Sequence, residues 1–166
     1  RYGLPLHMDG ARFANAMVRL GVTPAEMTWK SGVDVVSFGA TKNGCWCAEA
    51  IVFFDPQAAK QLPFIRKRAA QLFSKTRFIA AQLHAYLDDD LWIRLAAHAN
   101  AMAERLIQGI ELKAQIEIAW PCEANELFVT MPIQLAEQLE QAGARFYPWP
   151  VPNWFNNEMK SGEGLY

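Results

Sequence analysis

The sequence predicts an α/β protein in which a mostly parallel sheet is followed by a small α+β domain. In the first half of the chain, short apolar runs alternate with amphipathic stretches, as they do in βαβ units. A long stretch of helical periodicity comes next, and shorter strand-like segments separated by turns follow it. We therefore predict two parts: residues 1–90 as a sheet domain, and residues 91–166 as a long helix followed by a small α+β domain.

The larger domain contains three predicted strands. They are Leu4–Met8, Val33–Phe38 and Ala48–Phe54, and the third is apolar enough to be covered on both faces. The predicted helices between and after the strands are Gly10–Leu20, a short helix that starts at the capping box Thr23–Glu26, one that opens at Asp55-Pro56, and Ser74–Leu87.

The smaller part begins with a predicted helix over Leu91–Leu112, in which apolar residues keep a helical period throughout. Beyond it, the spacing of apolar residues and turns predicts three strands and a helix. These are the strands Ile116–Trp120, Leu127–Met131 and Arg145–Trp149, and the helix Gln134–Gln141. The tail from Pro150 to Gly164 is rich in Pro, Asn, Gly and Trp and is predicted to be a loop.

The composition argues against several classes of protein. The 166 residues carry a net charge of −1, which gives no support to a nucleic-acid or membrane partner, and no apolar run approaches the length of a membrane span. Three cysteines, an odd number in so short a chain, indicate reduced thiols and a cytoplasmic location. Cys45 and Cys47 have no further cysteine or histidine cluster in the sequence to complete a site, so we expect no metal.

Two charged residues fall where strands of the larger domain are predicted to end. Asp9 follows the first strand, and Lys42 lies in the polar turn after the second. Ligands of open α/β sheets bind beyond the carboxyl ends of the strands. A buried acid beside a lysine suits pyridoxal phosphate, because the lysine forms a Schiff base with its aldehyde and the carboxylate keeps its ring nitrogen protonated. The alternatives are a solvated surface lysine and an aspartate that caps the following helix.

The sequence around both residues resembles a known family. HMDGAR (7–12) and SFGATKNG (37–44) are similar to segments of the threonine aldolase and β-eliminating lyase family, which are fold-type I pyridoxal phosphate enzymes. GATKNGCWCAEAIVFF resembles low-specificity L-threonine aldolases and phenylserine aldolases in particular. The resemblance implies that Lys42 carries pyridoxal 5′-phosphate covalently and that Asp9 pairs with its ring nitrogen. It also implies that Arg12 reaches the cofactor's phenolic oxygen or the substrate carboxylate, and that Arg77 binds substrate.

The activity implied by this resemblance is cleavage of L-threonine or another β-hydroxy-α-amino acid to glycine and an aldehyde, by a homodimer or homotetramer. Another fold-type I enzyme, either a β-lyase or an aminotransferase, is one alternative; a non-catalytic α/β module with an incidental lysine is the other. His7 is predicted to share a strand face with Asp9, where it either touches the cofactor ring or packs. Three strands are too few for the large domain of this fold, so the resemblance implies that residues 1–90 are the C-terminal part of the cofactor-binding large domain and that residues 91–166 are a linking helix and an incomplete small domain. We therefore expect residues 1–166 to be a fragment that alone binds the cofactor weakly and cleaves no threonine.

Overall fold

The computed structural model describes residues 3–152, 154–155 and 159–166. The chain forms two compact units, Arg1–His98 and Ala99–Tyr166. The division falls inside the long predicted helix rather than in front of it. None of the described helices is both long enough and apolar enough to cross a bilayer.

The first unit is built on a three-stranded sheet. Its strands, in the order in which they pair, are β1 (His7–Gly10), β2 (Val35–Gly39) and β3 (Glu49–Phe53). The helices are α1 (Phe13–Leu20), α2 (Pro24–Met27), α3 (Leu62–Arg68), α4 (Thr76–Leu87) and α5 (Leu91–Glu111), the last of which continues into the second unit. The predicted order of strands and helices is therefore confirmed.

Strand β2 is the centre of the sheet, with β1 parallel to it on one side and β3 antiparallel to it on the other. The sheet therefore mixes both directions. The prediction that the third strand is covered on both faces is wrong for this chain, because Ile51 and Val52 are 54% and 39% exposed. These apolar side chains lie on opposite faces of β3, since neighbouring residues of a strand alternate.

Several predicted boundaries are wrong for local reasons. Strand β1 begins three residues late, because Leu4 and Leu6 are exposed and do not contribute to the core. No helix opens at Asp55-Pro56: the Asp55 carboxylate accepts the N–H of Gln57 at 2.8 Å, and the described chain forms turns until α3 starts at Leu62. Such local side-chain bonds compete with helix formation.

Four aromatic rings form the centre of the first unit's core. They come from α1, β2, α4 and α5, and we call them the ring cluster: Phe13, Phe38, Tyr86 and Trp92. Neighbouring ring centroids are 5.5 to 6.4 Å apart, in stacked, tilted and edge-on arrangements that aromatic pairs favour. The ring cluster thereby packs the end of β2 against three helices.

The second unit contains an antiparallel sheet, the end of α5 and one further helix. Strand β5 (Val129–Pro132) lies between β4 (Glu117–Ile118) and β6 (Glu163–Leu165), and α6 (Ile133–Gln141) follows β5 directly. Its buried core is formed by Val129, Met131 and Ala136, with partly buried apolar residues around them.

The predicted strand Arg145–Trp149 is wrong. These residues form no strand in the described structure, although the N–H of Trp149 donates to the carbonyl of Leu165 at 2.8 Å. The third strand is β6, most of which the sequence assigns to the loop that begins at Pro150. Residues 153 and 156–158 of that predicted loop lie outside the described residues.

The capping box predicted at the start of α2 is confirmed. The N–H of Glu26 donates to Thr23 Oγ1 at 3.3 Å, and the N–H and hydroxyl of Thr23 donate to Glu26 Oε2 at 2.8 and 2.6 Å. The side-chain bond from the Thr23 hydroxyl, followed by the backbone bond, lowers the pKa of Glu26 below its ordinary value.

We expect Thr23→Ala to lower the free energy of unfolding by about 1 kcal/mol at neutral pH, which is the usual contribution of an N-cap. The pKa of Glu26 is lower in the folded state than in the unfolded state. The stabilisation from the Thr23–Glu26 hydrogen bonds is therefore fully present above the pKa of unfolded Glu26, and it is lost as the pH falls through the pKa of folded Glu26. The difference between wild type and variant should therefore shrink on acidification. Urea unfolding at several pH values measures it, and an equal difference at every pH would contradict this explanation.

Candidate active site

The carboxyl ends of β1 and β2 lie side by side, because the two strands are parallel neighbours. Asp9 pairs in register with Ser37, and Gly10 pairs with Phe38. One residue after β2 ends, a single 3-10 turn (Thr41–Asn43) carries Lys42. Asp9 and Lys42 therefore belong to neighbouring strand ends at the same edge of the sheet.

Two glycines allow these strand ends to come close together. A Cβ atom on Gly10 would lie 2.6 Å from the carbonyl oxygen of Ser37. A Cβ atom on Gly39 would lie 2.9 Å from Cα of Ala11 and 3.1 Å from the carbonyl oxygen of Gly10. At both positions the Cβ atom would lie closer to a backbone atom than Cβ atoms approach in real proteins. Any side chain at Gly10 or Gly39 would therefore push the turn after β1 away from the end of β2.

The Asp9 side chain is exposed, and its Oδ1 accepts the N–H of Ala11 at 3.0 Å. Aspartate commonly closes such a turn with the residue two positions ahead. Helix α1 begins only at Phe13, with Arg12 as its N-cap residue. The prediction of a buried acid is therefore wrong, and so is the alternative of a cap on a helix that starts at Gly10, because a turn separates Asp9 from α1.

The Lys42 side chain is exposed, whereas the turn that carries it is anchored. Ala40 and Asn43, which flank the turn's exposed residues, are both buried. The N–H groups of Asn43 and Cys45 donate to the carbonyl of Ala40 at 3.1 and 3.2 Å. An amine that solvent and ligands can reach is thus mounted on a fixed segment of backbone.

The side chain of Asn43 connects this turn to the ring cluster. Its Nδ2 donates to the hydroxyl oxygen of Tyr86 at 2.6 Å and to the carbonyl oxygen of Trp92 at 2.9 Å. Burial raises the pKa of the Tyr86 hydroxyl above its ordinary value, while the bond from Asn43 acts in the opposite direction. Sequence reasoning missed this connection, because neither periodicity nor spacing links residues so far apart in the chain.

Gln82 of α4 holds the loop that follows the lysine turn. Its Oε1 accepts the N–H groups of Trp46 and Cys47 at 2.9 and 3.2 Å, a second connection that the sequence does not reveal.

Burial, followed by the charge of Glu49, raises the pKa of the Cys45 thiol. The cysteines are free, and the described residues include no group of three or more His, Cys, Asp or Glu that could hold a metal ion.

The other predicted site residues lie on three different elements. His7 is on β1 with Asp9, Arg12 is in the turn that follows β1, and Arg77 is on α4. His7 Nε2 is 2.8 Å from Ser37 Oγ, and Ser37 is the register partner of Asp9, so His7 and Asp9 share a face as predicted. Arg12 is half-buried in the turn between β1 and α1. Arg77 is an exposed residue in the first turn of α4, with its guanidinium 4.8 Å from the Phe78 ring centroid.

A cavity of about 860 Å³ opens beside the lysine turn. Thr41 and Ser37 contribute polar groups to its wall, and Ile51, Ile65 and Phe73 contribute apolar ones. This size and mixture of side chains are common in small-molecule sites. The cavity reaches the strand end that carries Lys42 through Ser37 and Thr41, but Lys42, Asp9 and Arg12 do not themselves line it.

Comparisons with known proteins identify the family. The family model described as "Beta-eliminating lyase" matches residues 1–134. The chain belongs to the β-eliminating lyase family. Two curated relatives, both described as low specificity L-threonine aldolase, match over 145 residues: one from a Pseudomonas species at 48% identity and one from Pseudomonas aeruginosa at 46%.

A solved structure has a similar fold. The structure of Leishmania major threonine aldolase superimposes with a TM-score of 0.85 at 28% identity, over 99% of this chain and 45% of that one. The two Pseudomonas matches cover 87% of this chain but only 42% of each relative. This member of the β-eliminating lyase family thus spans less than half the length of the relatives that it matches.

We expect Gly39→Ala to separate the two strand ends and to destabilise the protein by about 1 to 3 kcal/mol, which is the usual cost of overpacking. Gly109→Ala is the matched control, because a Cβ there meets nothing within 4 Å and α5 should gain about 0.5 to 1 kcal/mol from the change. Chemical unfolding of both variants measures the difference. Equal stability of the two variants would show that the Gly39 contact is not tight.

Proposed function

We propose that this chain forms the lysine-bearing part of a pyridoxal phosphate-dependent aldolase that cleaves L-threonine and related β-hydroxy-α-amino acids to glycine and an aldehyde. The observation that carries the proposal is the placement of Asp9 and Lys42 on neighbouring parallel strand ends. The names of the two Pseudomonas relatives and of the Leishmania structure support the substrate class.

The chemical groups at this edge suit pyridoxal 5′-phosphate in kind. The cofactor has an aldehyde, a ring nitrogen that binds a proton, a phenolic oxygen and a phosphate. Lys42 offers an exposed amine, Asp9 an exposed carboxylate, and Arg12 a guanidinium at the same strand end. When bound, the cofactor supplies an electron-accepting ring that stabilises the carbanion left when a bond at the substrate α-carbon breaks.

Each residue has a separate task in this proposal. Lys42 would hold the cofactor through its amine, at the position that the amino group of the substrate would also take. Asp9 holds a proton on the ring nitrogen by direct charge pairing. Arg12 fixes a phenolate or a carboxylate, for which a guanidinium is well suited. Arg77 is proposed to bind substrate. It is exposed in the first turn of α4, where it is accessible to a substrate held by a neighbouring subunit.

We also propose a homodimer or homotetramer in the cytoplasm. Apolar side chains on α3 and α4 are exposed, among them Phe64 and Phe78, whose exposed fractions are 71% and 56%. These side chains support a contact between this surface and another subunit. Three free thiols support a reducing compartment. A β-lyase or aminotransferase activity remains the alternative, and release of acetaldehyde from threonine distinguishes the aldolase from both.

The first test locates the attachment residue. Borohydride reduction of the intact protein with its cofactor, followed by digestion and mass spectrometry, should place the pyridoxyl group on Lys42. Lys60, Lys67 and Lys75 are also exposed and serve as internal controls for non-specific labelling. A stoichiometric label on any of these three would overturn the assignment of Lys42.

The second test separates the charge of Asp9 from its role in the turn. Asp9→Asn keeps an oxygen that can accept the Ala11 N–H but removes the negative charge, so the protein should fold normally. We expect kcat to fall at least about a hundredfold, the usual loss when a charged partner of the reacting group is removed.

Asp34→Asn is the control, because Asp34 also accepts a backbone N–H, that of Leu6 at 2.7 Å, but precedes β2 and lies at the opposite end from Lys42. Its activity should be close to that of the wild type. Near-normal turnover of a folded Asp9→Asn protein would leave Asp9 with a purely local structural role.

A further inference from the structure

The Asn43 amide is an unusual group to find in the core of the first unit. Asn43 is 6% exposed, and its side chain contacts the hydroxyl of Tyr86 and the backbone carbonyl of Trp92. Burial of an amide is costly unless its hydrogen bonds are replaced. Both of its N–H donors have partners in this arrangement.

The orientation of the amide is determined by its partners. A backbone carbonyl can only accept a hydrogen bond, so the atom 2.9 Å from the Trp92 carbonyl oxygen must be the Asn43 nitrogen. The same nitrogen then donates its other hydrogen to the Tyr86 hydroxyl oxygen. Asn43 therefore joins the lysine turn to α4 through Tyr86 and to the first turn of α5 through Trp92.

The backbone on either side leaves Asn43 little freedom to move. Its own N–H is bonded to Ala40, as is the N–H of Cys45. Gly44 has φ +110°, and a Cβ there would lie 2.8 Å from Leu95 Cδ1 of α5. A displacement of the Asn43 side chain would therefore be transmitted to the adjacent peptide unit, which carries Lys42.

We propose that Asn43 is a positioning residue for Lys42: its buried amide fixes the turn against Tyr86 and Trp92 and thereby fixes where the Lys42 amine can reach. This inference rests on the proposed role of Lys42 as the attachment residue. A reacting group that is misplaced by about 1 Å loses on the order of a hundredfold in rate, so even a small relaxation of this turn is measurable.

Three variants of the intact protein test the inference. Asn43→Ala removes both hydrogen bonds, and Tyr86→Phe removes only the one at 2.6 Å while keeping the ring. Val33→Ala is the control, because Val33 is 5% exposed in the same core but precedes β2, at the opposite end from Lys42. Tyr86→Phe also covers the case in which Asn43→Ala does not fold.

Two measurements are made on each variant. The first is hydrogen exchange of peptides covering residues 40–47 in protein freed of cofactor, which reports the turn itself. The second is the rate at which added pyridoxal phosphate becomes reducible by borohydride onto Lys42. We expect Asn43→Ala to accelerate exchange in 40–47 and to slow attachment at least about tenfold, Tyr86→Phe to do both to a smaller extent, and Val33→Ala to do neither.

The outcomes distinguish this inference from the proposed function. A pyridoxyl label on another lysine of the wild type would overturn both. A label on Lys42 that forms at the wild-type rate in Asn43→Ala and Tyr86→Phe would overturn only the inference and leave Asn43 as a core residue. An equal slowing in Val33→Ala would also overturn it, because the effect would then follow general stability rather than this contact.

Discussion

The contact between the ends of β1 and β2 is the constraint on which the site depends. Parallel pairing sets the two carboxyl ends at one edge, and the missing side chains of Gly10 and Gly39 let the turn after β1 pack directly on β2. Asp9 and Lys42 are exposed, but the segments that carry them are fixed by backbone contacts and by the buried Asn43 amide. Flexible charged side chains are thus placed by rigid supports, as a binding site requires.

The positions of the charged residues at the strand ends could be predicted from the sequence better than the contacts that support them. Asp9 and Lys42 stand out because they are charged residues at the ends of apolar runs, and this is a local signal. The bonds of Asn43 to Tyr86 and Trp92 have no local signal, since they join segments that meet only in the folded chain. Burial of Asp9 was wrongly predicted because the turn that exposes it depends on its own side-chain bond to Ala11.

Strand boundaries were predicted to within two residues for β2 and β3 but poorly for β1 and β6. Leu4 and Leu6 look like the start of a strand, yet they are 79% and 50% exposed and the strand continues instead through Asp9 to Gly10. In the second unit, β6 consists of Glu163–Leu165, whose glutamate and glycine are uncommon in strands. Backbone pairing with β5 stabilises it in spite of that composition.

The central claim is that Lys42 carries the aldehyde carbon of the cofactor and that Asp9 pairs with its ring nitrogen. A crystal structure of the intact protein with pyridoxal phosphate tests it most directly. The account predicts continuous electron density from the Lys42 amine to the cofactor's aldehyde carbon, with an Asp9 carboxylate oxygen within hydrogen-bond distance of the ring nitrogen. Density joined to a different lysine, or a ring nitrogen that faces a group other than Asp9, would contradict it.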